Sequence, residues 1–410
     1  MNTSAGIHDL SIATTEYVLE HTRLAAHIGV DPRKFTHGIG QDAMSIPAED
    51  EDIVTMAATA ARPILERHGT DGIRTVLLAT ETGVDESKAA ALYLHRLIGL
   101  PDNARVIELK QACYSATAAL QFAAALTAGD PEHRTLVIAA DIARYDTGSA
   151  AEATQGAAAA AMLVTADPAI LRIEPVSGLY SAHVMDFWRP TYRRTAVVDG
   201  KYSVTAYLDA IEHAWNDYHK RAHRELPDFA AFCYHQPFTK MAYKAHRHLL
   251  ERNGQTPAPE QIEHAIGATT RYNRLVGNSY TASLYLALTA LFDHADDLTG
   301  KPIALVSYGS GCVAEFLSAT VVPGYRRHLR TRANREALSR RTPITYEHYA
   351  RLARTALPED GSEYHTPHQT SGPYRFAGIT GHIRCYEPRR ANLRSAMDAD
   401  TSAAAQGARP

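Results

Sequence analysis

Cysteine is scarce in this chain of 410 residues: there are four, Cys113, Cys233, Cys312 and Cys385, and no two form a CxxC pair. That spacing argues against a disulfide framework and a zinc site, and it reads as reduced thiols in a cytoplasmic protein. Neither sign of charge is in excess, since 42 Lys+Arg against 45 Asp+Glu leave a formal net charge of −3. A nucleic-acid scaffold, which needs a basic balance, is therefore disfavoured. Long apolar runs are missing too. The longest, such as Ala157 to Val164, fall far short of the ~20 residues that span a bilayer. The N-terminal stretch MNTSAGIHDLSIATTEYVLE carries acids and no apolar core, so no secretory signal is expected. What remains is 45% hydrophobic and 21% charged, an ordinary globular composition. At roughly 150 residues per domain the length predicts two or three domain-sized units.

Strand-like runs alternate with helical patterns, which predicts an α/β sheet covered by helices. Residues 75–80, 105–109 and 135–140 read as buried strands, with helices over about 87–98 and 113–128 between them. The second half reads the same way, with a strand over 228–233, a helix over 239–251, and an Ala/Leu-rich helix opening at Asn278. From Cys113 to the end of the next strand at Asp141 is 28 positions, and from Asn278 to Ser307 is 29. This spacing suggests an internal duplication that sets Cys113 and Asn278 at equivalent helix N-termini, facing one site. Halves of 1–170 and 171–389 follow, with a tail over 390–410 whose few large apolar residues predict disorder. Residues 325–342 are Arg-rich, and a solvated helix face is favoured there over an anion or partner surface.

Several residues can carry chemistry. Cys113 stands after a strand at the start of a helix, where unpaired N–H groups favour a thiolate and lower the thiol pKa. A small buried hydrophobe is the competing reading of the same cysteine. His235 follows a strand, in the kind of loop that positions functional side chains, and Cys, His and Asn together form a nucleophile set. Glu81 closes a strand beside Gly83, at a sheet's carboxyl edge where α/β proteins bind ligands. Partial desolvation there would raise its pKa and suit it to acid/base work. Lys240 and Lys244 share one helix face, which suits a phosphate-bearing substrate, although exposed lysines without a role are common. The turn Ser307-Tyr-Gly-Ser-Gly311 offers close backbone approach and N–H groups for an oxyanion, or is a plain strand-to-strand turn. His246 and His248, an HxH pair on a helix, face apart and do not suggest a metal.

The motifs taken jointly resemble hydroxymethylglutaryl-CoA synthases of the bacterial type, within the thiolase superfamily. The matching segments are Gly38-Ile-Gly-Gln41, Glu49-Asp-Glu-Asp-Ile-Val-Thr-Met-Ala57, Ala79-Thr-Glu-Thr82, Lys110-Gln-Ala-Cys-Tyr114, Glu152-Ala-Thr-Gln-Gly156, Asp186-Phe-Trp-Arg-Pro190, His235-Gln-Pro-Phe-Thr-Lys-Met241, Gly277-Asn-Ser-Tyr-Thr281 and Ser307-Tyr-Gly-Ser-Gly311. They run from about residue 7 to 325 in the family's order. The resemblance implies a duplicated thiolase-like fold, layered αβαβα with two pseudo-symmetric halves, and a homodimer. It implies Cys113 as the acetyl-accepting nucleophile and Glu81 as the acid/base at the acetyl methyl. His235 is implied to bind and polarise the acetoacetyl-CoA ketone, with Asn278 on the same substrate. Asp141, Tyr145, Asp186, Ser307, Tyr308 and Ser310 are then expected to form the substrate pocket, and Lys240 and Lys244 to contact CoA. The expected reaction takes acetyl-CoA, acetoacetyl-CoA and water, feeds the mevalonate pathway, and needs no cofactor and no metal. Neither nucleic acid nor membrane is an expected partner. Cys312 departs from the family's small residue and reads as packing.

Two other enzymes use much of this set. A polyketide β-branching relative takes acetyl from an acyl carrier protein with the same residues. A decarboxylating ketoacyl synthase needs Cys, His and Asn but has no use for Glu81, because its carbanion comes from loss of CO2. A catalytically dead binding protein of this fold would lose the nucleophile or its partners, and here all are present.

Overall fold

The computed structural model describes residues 5–389; the disorder expected over 390–410 lies outside the described residues. Nine strands form the central sheet: β1 (Gly6–Thr14), β2 (Ile73–Ala79), β3 (Arg105–Leu109), β4 (Arg134–Ile142), β5 (Ala157–Thr165), β6 (Leu171–Ser181), β7 (Phe232–Tyr234), β8 (Pro302–Gly309) and β9 (Val313–Val321). Their spatial order is β7-β8-β9-β6-β1-β5-β4-β2-β3. From the centre outwards one part reads β1, β5, β4, β2, β3 and the other β6, β9, β8, β7. The pairings run antiparallel, antiparallel, parallel in both. The second part thus repeats the order of the first without its outermost strand. The parts meet where Gly6 and Ile7 pair with Arg172 and Leu171. A Cβ on Gly6 would stand 2.0 Å from the Leu171 carbonyl oxygen, so only glycine closes that seam.

Strand periodicity sorts the core into layers, because successive side chains face opposite ways. Leu77 and Val137 face inwards with Cys233, Leu305 and Leu317 of the other part, and between them lie helices α3 (Ser115–Gly129) and α6 (Ser283–His294). Their neighbours Val76, Leu78 and Ile138 face outwards onto α1 (Ile53–His68) and α2 (Ala90–Leu97). Phe232, Tyr234 and Val306 pack on α4 (Gly200–Ala222) and α5 (Thr239–Arg252). The α6 helix is buried from Ser283 to Asp293, as a helix that is apolar on most sides must be. The result is the αβαβα layering expected of the thiolase-like fold.

Some elements differ from the sequence expectation. The helix expected from 87 begins at Ala90, where the Glu108 carboxylate accepts the Ala90 N–H at 2.6 Å. The strand expected over 228–233 shrinks to Phe232–Tyr234, since Leu226–Asp228 is a 3-10 turn in which Asp228 accepts the Glu225 N–H. The helix expected at Asn278 starts only at Ser283, after a turn at Tyr280–Ala282. This shifts the register of the repeat. Ala112 and Tyr280 have φ values of 44° and 43°, and each stands three residues before its helix. Cys113 therefore corresponds to Thr281, and Asn278 lies upstream of the equivalent position.

The Arg-rich stretch is the solvated face expected only in part: Arg326, Arg327, Arg332, Arg335 and Arg340 are exposed, while Arg330 and Arg341 turn inwards. Its helix is α7 (Thr331–Ser339). Arg330 donates at 2.6 Å to the fully buried Asp9, which Arg67 also meets. Arg341, itself buried, donates to Ser45 Oγ and the Leu275 carbonyl, and Arg335 to the Asp293 carbonyl. These cations join segments distant in sequence, while Arg332 pairs with Glu336 on the exposed side. After α8 (Tyr346–Arg354) the described residues close with a hairpin of β10 (Tyr374–Thr380) and β11 (Ile383–Pro388). The hairpin is clamped to the start of α1: Asp50 accepts the N–H groups of Gln369 and Thr370 and meets Arg375, and Asp52 accepts the Tyr386 hydroxyl.

Candidate active site

Cys113 sits in a tight turn between β3 and α3. Ser115 Oγ accepts the Gln111 N–H at 2.5 Å and donates to the Ala112 carbonyl at 2.8 Å. The turn lies directly on the end of β8, at Gly309. A Cβ there would stand 2.6 Å from Gln111 O and 2.7 Å from Tyr114 N. Glycine at 309 is what admits the nucleophile's loop.

The Cys113 thiol donates to Glu81 Oε1 at 3.1 Å. Glu81 lies two residues past the end of β2 and Asp141 stands near the end of the neighbouring β4. Asp141 Oδ1 accepts from Thr80 Oγ1, Glu81 N, Thr82 N and Thr82 Oγ1 at 2.7 to 3.1 Å. Its Oδ2 accepts from Thr281 N at 3.1 Å. One buried carboxylate thus fixes the backbone on both sides of Glu81 and ties it to the other half of the fold. Burial, then the charge of Asp141, pushes the Glu81 carboxyl up to about 8, while the Cys113 hydrogen bond and Arg189 pull the other way. The Cys113 thiol is pushed up as well, first by burial and then by Glu81, Asp141 and Asp186. The lowered pKa expected from a helix N-terminus is thus corrected. The helix opens only at Ser115, and three carboxylates act on the sulfur.

His235 follows β7. Its N–H donates to the Val306 carbonyl and its carbonyl accepts the Tyr207 hydroxyl at 2.9 Å. Burial pushes the imidazole down to about 3, so the ring is neutral at working pH. Its Nδ1 is buried without a partner, which favours the ring proton on Nε2, the nitrogen left to the cavity. Asn278 is carried by close backbone packing: a Cβ on Gly277, at φ 83°, would stand 1.9 Å from Gln155 O, and one on Gly156 2.3 Å from Val276 O. The Asn278 N–H donates to Thr154 O, its Oδ1 accepts the Tyr280 N–H, and its Nδ2 donates to the Tyr145 hydroxyl at 3.4 Å.

Cys113, His235, Asn278, Tyr145, Tyr308 and Ser310 line one cavity of about 380 Å³. Glu81 reaches it through the sulfur of Cys113. The remaining expected pocket residues are not on its wall. Asp141 is spent on backbone groups, and Asp186 accepts the Tyr308 hydroxyl at 2.6 Å and the Gly311 N–H at 3.0 Å. Ser307 Oγ is buried and accepts from Thr117 Oγ1. These three hold the wall in place from behind. Lys240 and Lys244 are exposed on α5, with the Lys244 Nζ 5.4 Å from the ring of the wall residue Phe238. The wall also contains Phe187, Tyr207, Met241 and Tyr280, which sequence reasoning did not single out; Phe187, Met241 and Tyr280 lie inside the quoted motifs, where they could have been noticed. Cys312 packs in the core beside α4 and α5, as expected. His246 and His248 turn to different partners, Tyr234 and Glu212. Among the described residues no His, Cys, Asp and Glu cluster is arranged to hold a metal.

Comparison with known proteins agrees with this geometry. A family model described as hydroxymethylglutaryl-coenzyme A synthase N terminal matches residues 1–169, and its C-terminal counterpart matches 171–266 and 250–354. The chain is 42% identical over 357 residues to hydroxymethylglutaryl-CoA synthase of Enterococcus faecalis, covering 87% of this chain and 93% of the relative. It is 32% identical to the polyketide biosynthesis 3-hydroxy-3-methylglutaryl-ACP synthase PksG of Bacillus subtilis (strain 168), covering 85% and 88%. Among solved structures, an HMG-CoA synthase complexed with CoA superposes with a TM-score of 0.90 at 39% identity, over 94% of this chain and all of the other. MvaS in complex with 3-hydroxy-3-methylglutaryl coenzyme A gives 0.86 at 34% identity, over 94% and 99%.

Proposed function

The chain belongs to the hydroxymethylglutaryl-CoA synthase family, and from that premise we infer that it condenses acetyl-CoA with acetoacetyl-CoA and water to give (S)-3-hydroxy-3-methylglutaryl-CoA and CoA, as a step of the mevalonate pathway. The observation that carries the inference is the 3.1 Å contact between the Cys113 thiol and Glu81, a carboxyl that burial and then Asp141 push above its ordinary pKa. A condensation without decarboxylation needs a base for a weakly acidic C–H, and this carboxylate stands where an acetyl group on the sulfur would present its methyl.

Three steps follow. Cys113 Sγ attacks the acetyl-CoA carbonyl while its proton passes to the Glu81 carboxylate, and that proton leaves with the CoA thiol. Glu81 then removes a methyl proton from acetyl-S-Cys113, and the resulting enolate attacks C3 of acetoacetyl-CoA. The neutral His235 donates from Nε2 to the ketone oxygen, which becomes the 3-hydroxyl with the proton Glu81 took up. Asn278 orients the same substrate. Finally water cleaves the enzyme thioester and restores the thiol. Backbone N–H groups at Cys113 and Ser310 serve the thioester oxyanions. Lys240 and Lys244, outside the cavity, meet the CoA phosphates as point charges.

A homodimer goes with this reading. Strand β3 ends the sheet with one open edge and exposes Ile107, and Leu92 on α2 and Phe122 on α3 are exposed near it. An open, partly apolar edge is the feature that pairing with a second copy removes. A cytoplasmic location goes with it too: the four cysteines are free, and no helix of the described residues is long and apolar enough to cross a membrane. The relative named as an ACP synthase makes an acyl carrier protein the one alternative donor. Steady-state rates with acetyl-CoA and with acetyl-carrier protein, at equal acetoacetyl-CoA, test the choice. A higher kcat/KM for acetyl-CoA is expected, and a strong preference for the carrier would overturn the donor assignment.

A further inference from the structure

A second cavity, of about 330 Å³, lies beside the catalytic one and shares with it only the wall residue Tyr145. Arg144, the preceding residue, lines it, with Arg194 and Arg384 on the same wall. Arg144 is exposed by its accessible surface, yet neighbouring atoms crowd it enough that burial, then the charges of Arg189 and Arg194, lowers its pKa, with Tyr280 and Asp52 pulling the other way. Both facts follow if the accessible surface of Arg144 is the interior of this cavity. Its guanidinium has no hydrogen bond or ion pair among the described residues, whereas Arg194 meets Glu359 at 3.7 Å, Arg384 is held by Asp85 and the Val84 carbonyl, and Arg189 by the Glu81 carbonyl. A crowded cation without a direct partner is costly, and an arriving anion relieves that cost.

Of the four acids on the same wall, Glu49, Glu51, Asp52 and Asp146, none makes an ion pair with Arg144 among the described residues, although the charge of Asp52 acts on it, and Asp146 is held by Arg193 and Thr195. Asp52 is occupied by the Val54 and Thr55 N–H groups and the Tyr386 hydroxyl. Glu51 accepts from Glu16 N, Ala48 N and the Thr370 hydroxyl, and burial pushes it up to about 7. The opposite wall is apolar, with Leu352, Leu357 and Phe376. Part of that wall comes from residues beyond 354, where the family-model match ends.

We propose that this cavity is a second ligand site, separate from catalysis, for a small amphiphilic anion: a carboxylate or phosphate against Arg144 and Arg194, with a short apolar tail against Leu352 and Phe376. The space suits an occupant on the order of ten heavy atoms. Calorimetric titration of the full-length protein with hexyl phosphate and with hexanoate, in saturating CoA to fill the catalytic cavity, tests it. One equivalent of at least one probe binds with CoA present, more tightly than inorganic phosphate or hexanol, and the better probe identifies the head group. Arg144→Met weakens that binding at least tenfold and leaves the melting temperature unchanged or higher, because an unpaired cation is removed. Leu352→Trp blocks the tail end and weakens it as well. Absence of binding by both probes, displacement by CoA, equal binding of inorganic phosphate, or unchanged affinity in Arg144→Met would overturn the proposal. So would a lowered melting temperature in Arg144→Met, which would mean that the cation has a partner.

Discussion

At the scale of single residues the proposed mechanism makes the site a proton-transfer pair built on burial. Glu81 then acts in its carboxylate form, so activity should rise with pH through a limb near 8, the value to which burial and Asp141 push it. His235, held near 3, contributes no limb between pH 5 and 9. Glu81→Ala should lower the condensation kcat by about 10²- to 10⁴-fold and abolish the limb near 8; a limb that survives the substitution would assign it elsewhere. The same shift carries a stability cost. A carboxyl whose folded pKa lies above its unfolded value of 4.5 contributes stability that is complete below about 4.5 and is lost as pH rises through about 8. Glu81→Gln should therefore gain melting temperature relative to wild type at pH 9 and little at pH 5. Cys113, Glu81 and His235 were legible in the sequence because each stands within a few residues of a recognisable strand end or helix start, and Asn278 because it opens an apolar run, although its helix begins only at Ser283. The roles of Asp141, Asp186 and Ser307 were not. Each depends on which backbone groups surround it in space, and a motif does not contain that information. The direction of the Cys113 shift was misread for the same reason: the helix start is local, but the carboxylates that outweigh it arrive from three other segments.

At the scale of elements, the site depends on where backbones touch. Gly309 of β8 lies against the Cys113 turn, so Gly309→Ala should displace the nucleophile and cut its acetylation rate at least tenfold while the protein stays folded by circular dichroism. A full acetylation rate would show that the turn has room to spare. Apolar runs revealed β2, β3, β4, α2 and α3 closely, since each is regular, whereas β1, α1 and β5 of the same half were not anticipated. The short β7 and the late start of α6 were missed because a capped 3-10 turn precedes the one and a positive-φ turn the other. The same turn geometry shows that Thr281, not Asn278, is the counterpart of Cys113. The duplication was legible as a spacing, whereas its register was legible only in the backbone.

At the scale of the whole molecule, long-range charge pairs close the fold between segments far apart in sequence. The hairpin β10–β11 hangs on Asp50, which faces Arg375 with both side chains nearly inaccessible. Asp50→Ala leaves the Gln369 and Thr370 N–H groups without their acceptor, while Arg375 keeps Glu387 at 2.8 Å, and should cost about 1–3 kcal/mol in urea unfolding; an unchanged unfolding midpoint would mean the hairpin is held by other contacts. The open edge of β3 predicts a dimer. Analytical ultracentrifugation should give twice the mass of one chain, and Ile107→Lys on the exposed edge should shift it towards the monomer. A wild-type monomer at micromolar concentration would remove the edge-pairing account.

The central claim is that one sulfur carries the acetyl group while its neighbouring carboxylate removes the methyl proton, and intact-protein mass spectrometry after incubation with acetyl-CoA alone tests it most directly. The account predicts the mass of one added acetyl group, mapped to Cys113 and lost in Cys113→Ser, with exchange of the acetyl methyl hydrogens in deuterated buffer that disappears in Glu81→Ala. An unmodified protein, an acetyl group on another residue, or methyl exchange that persists without Glu81 would contradict it.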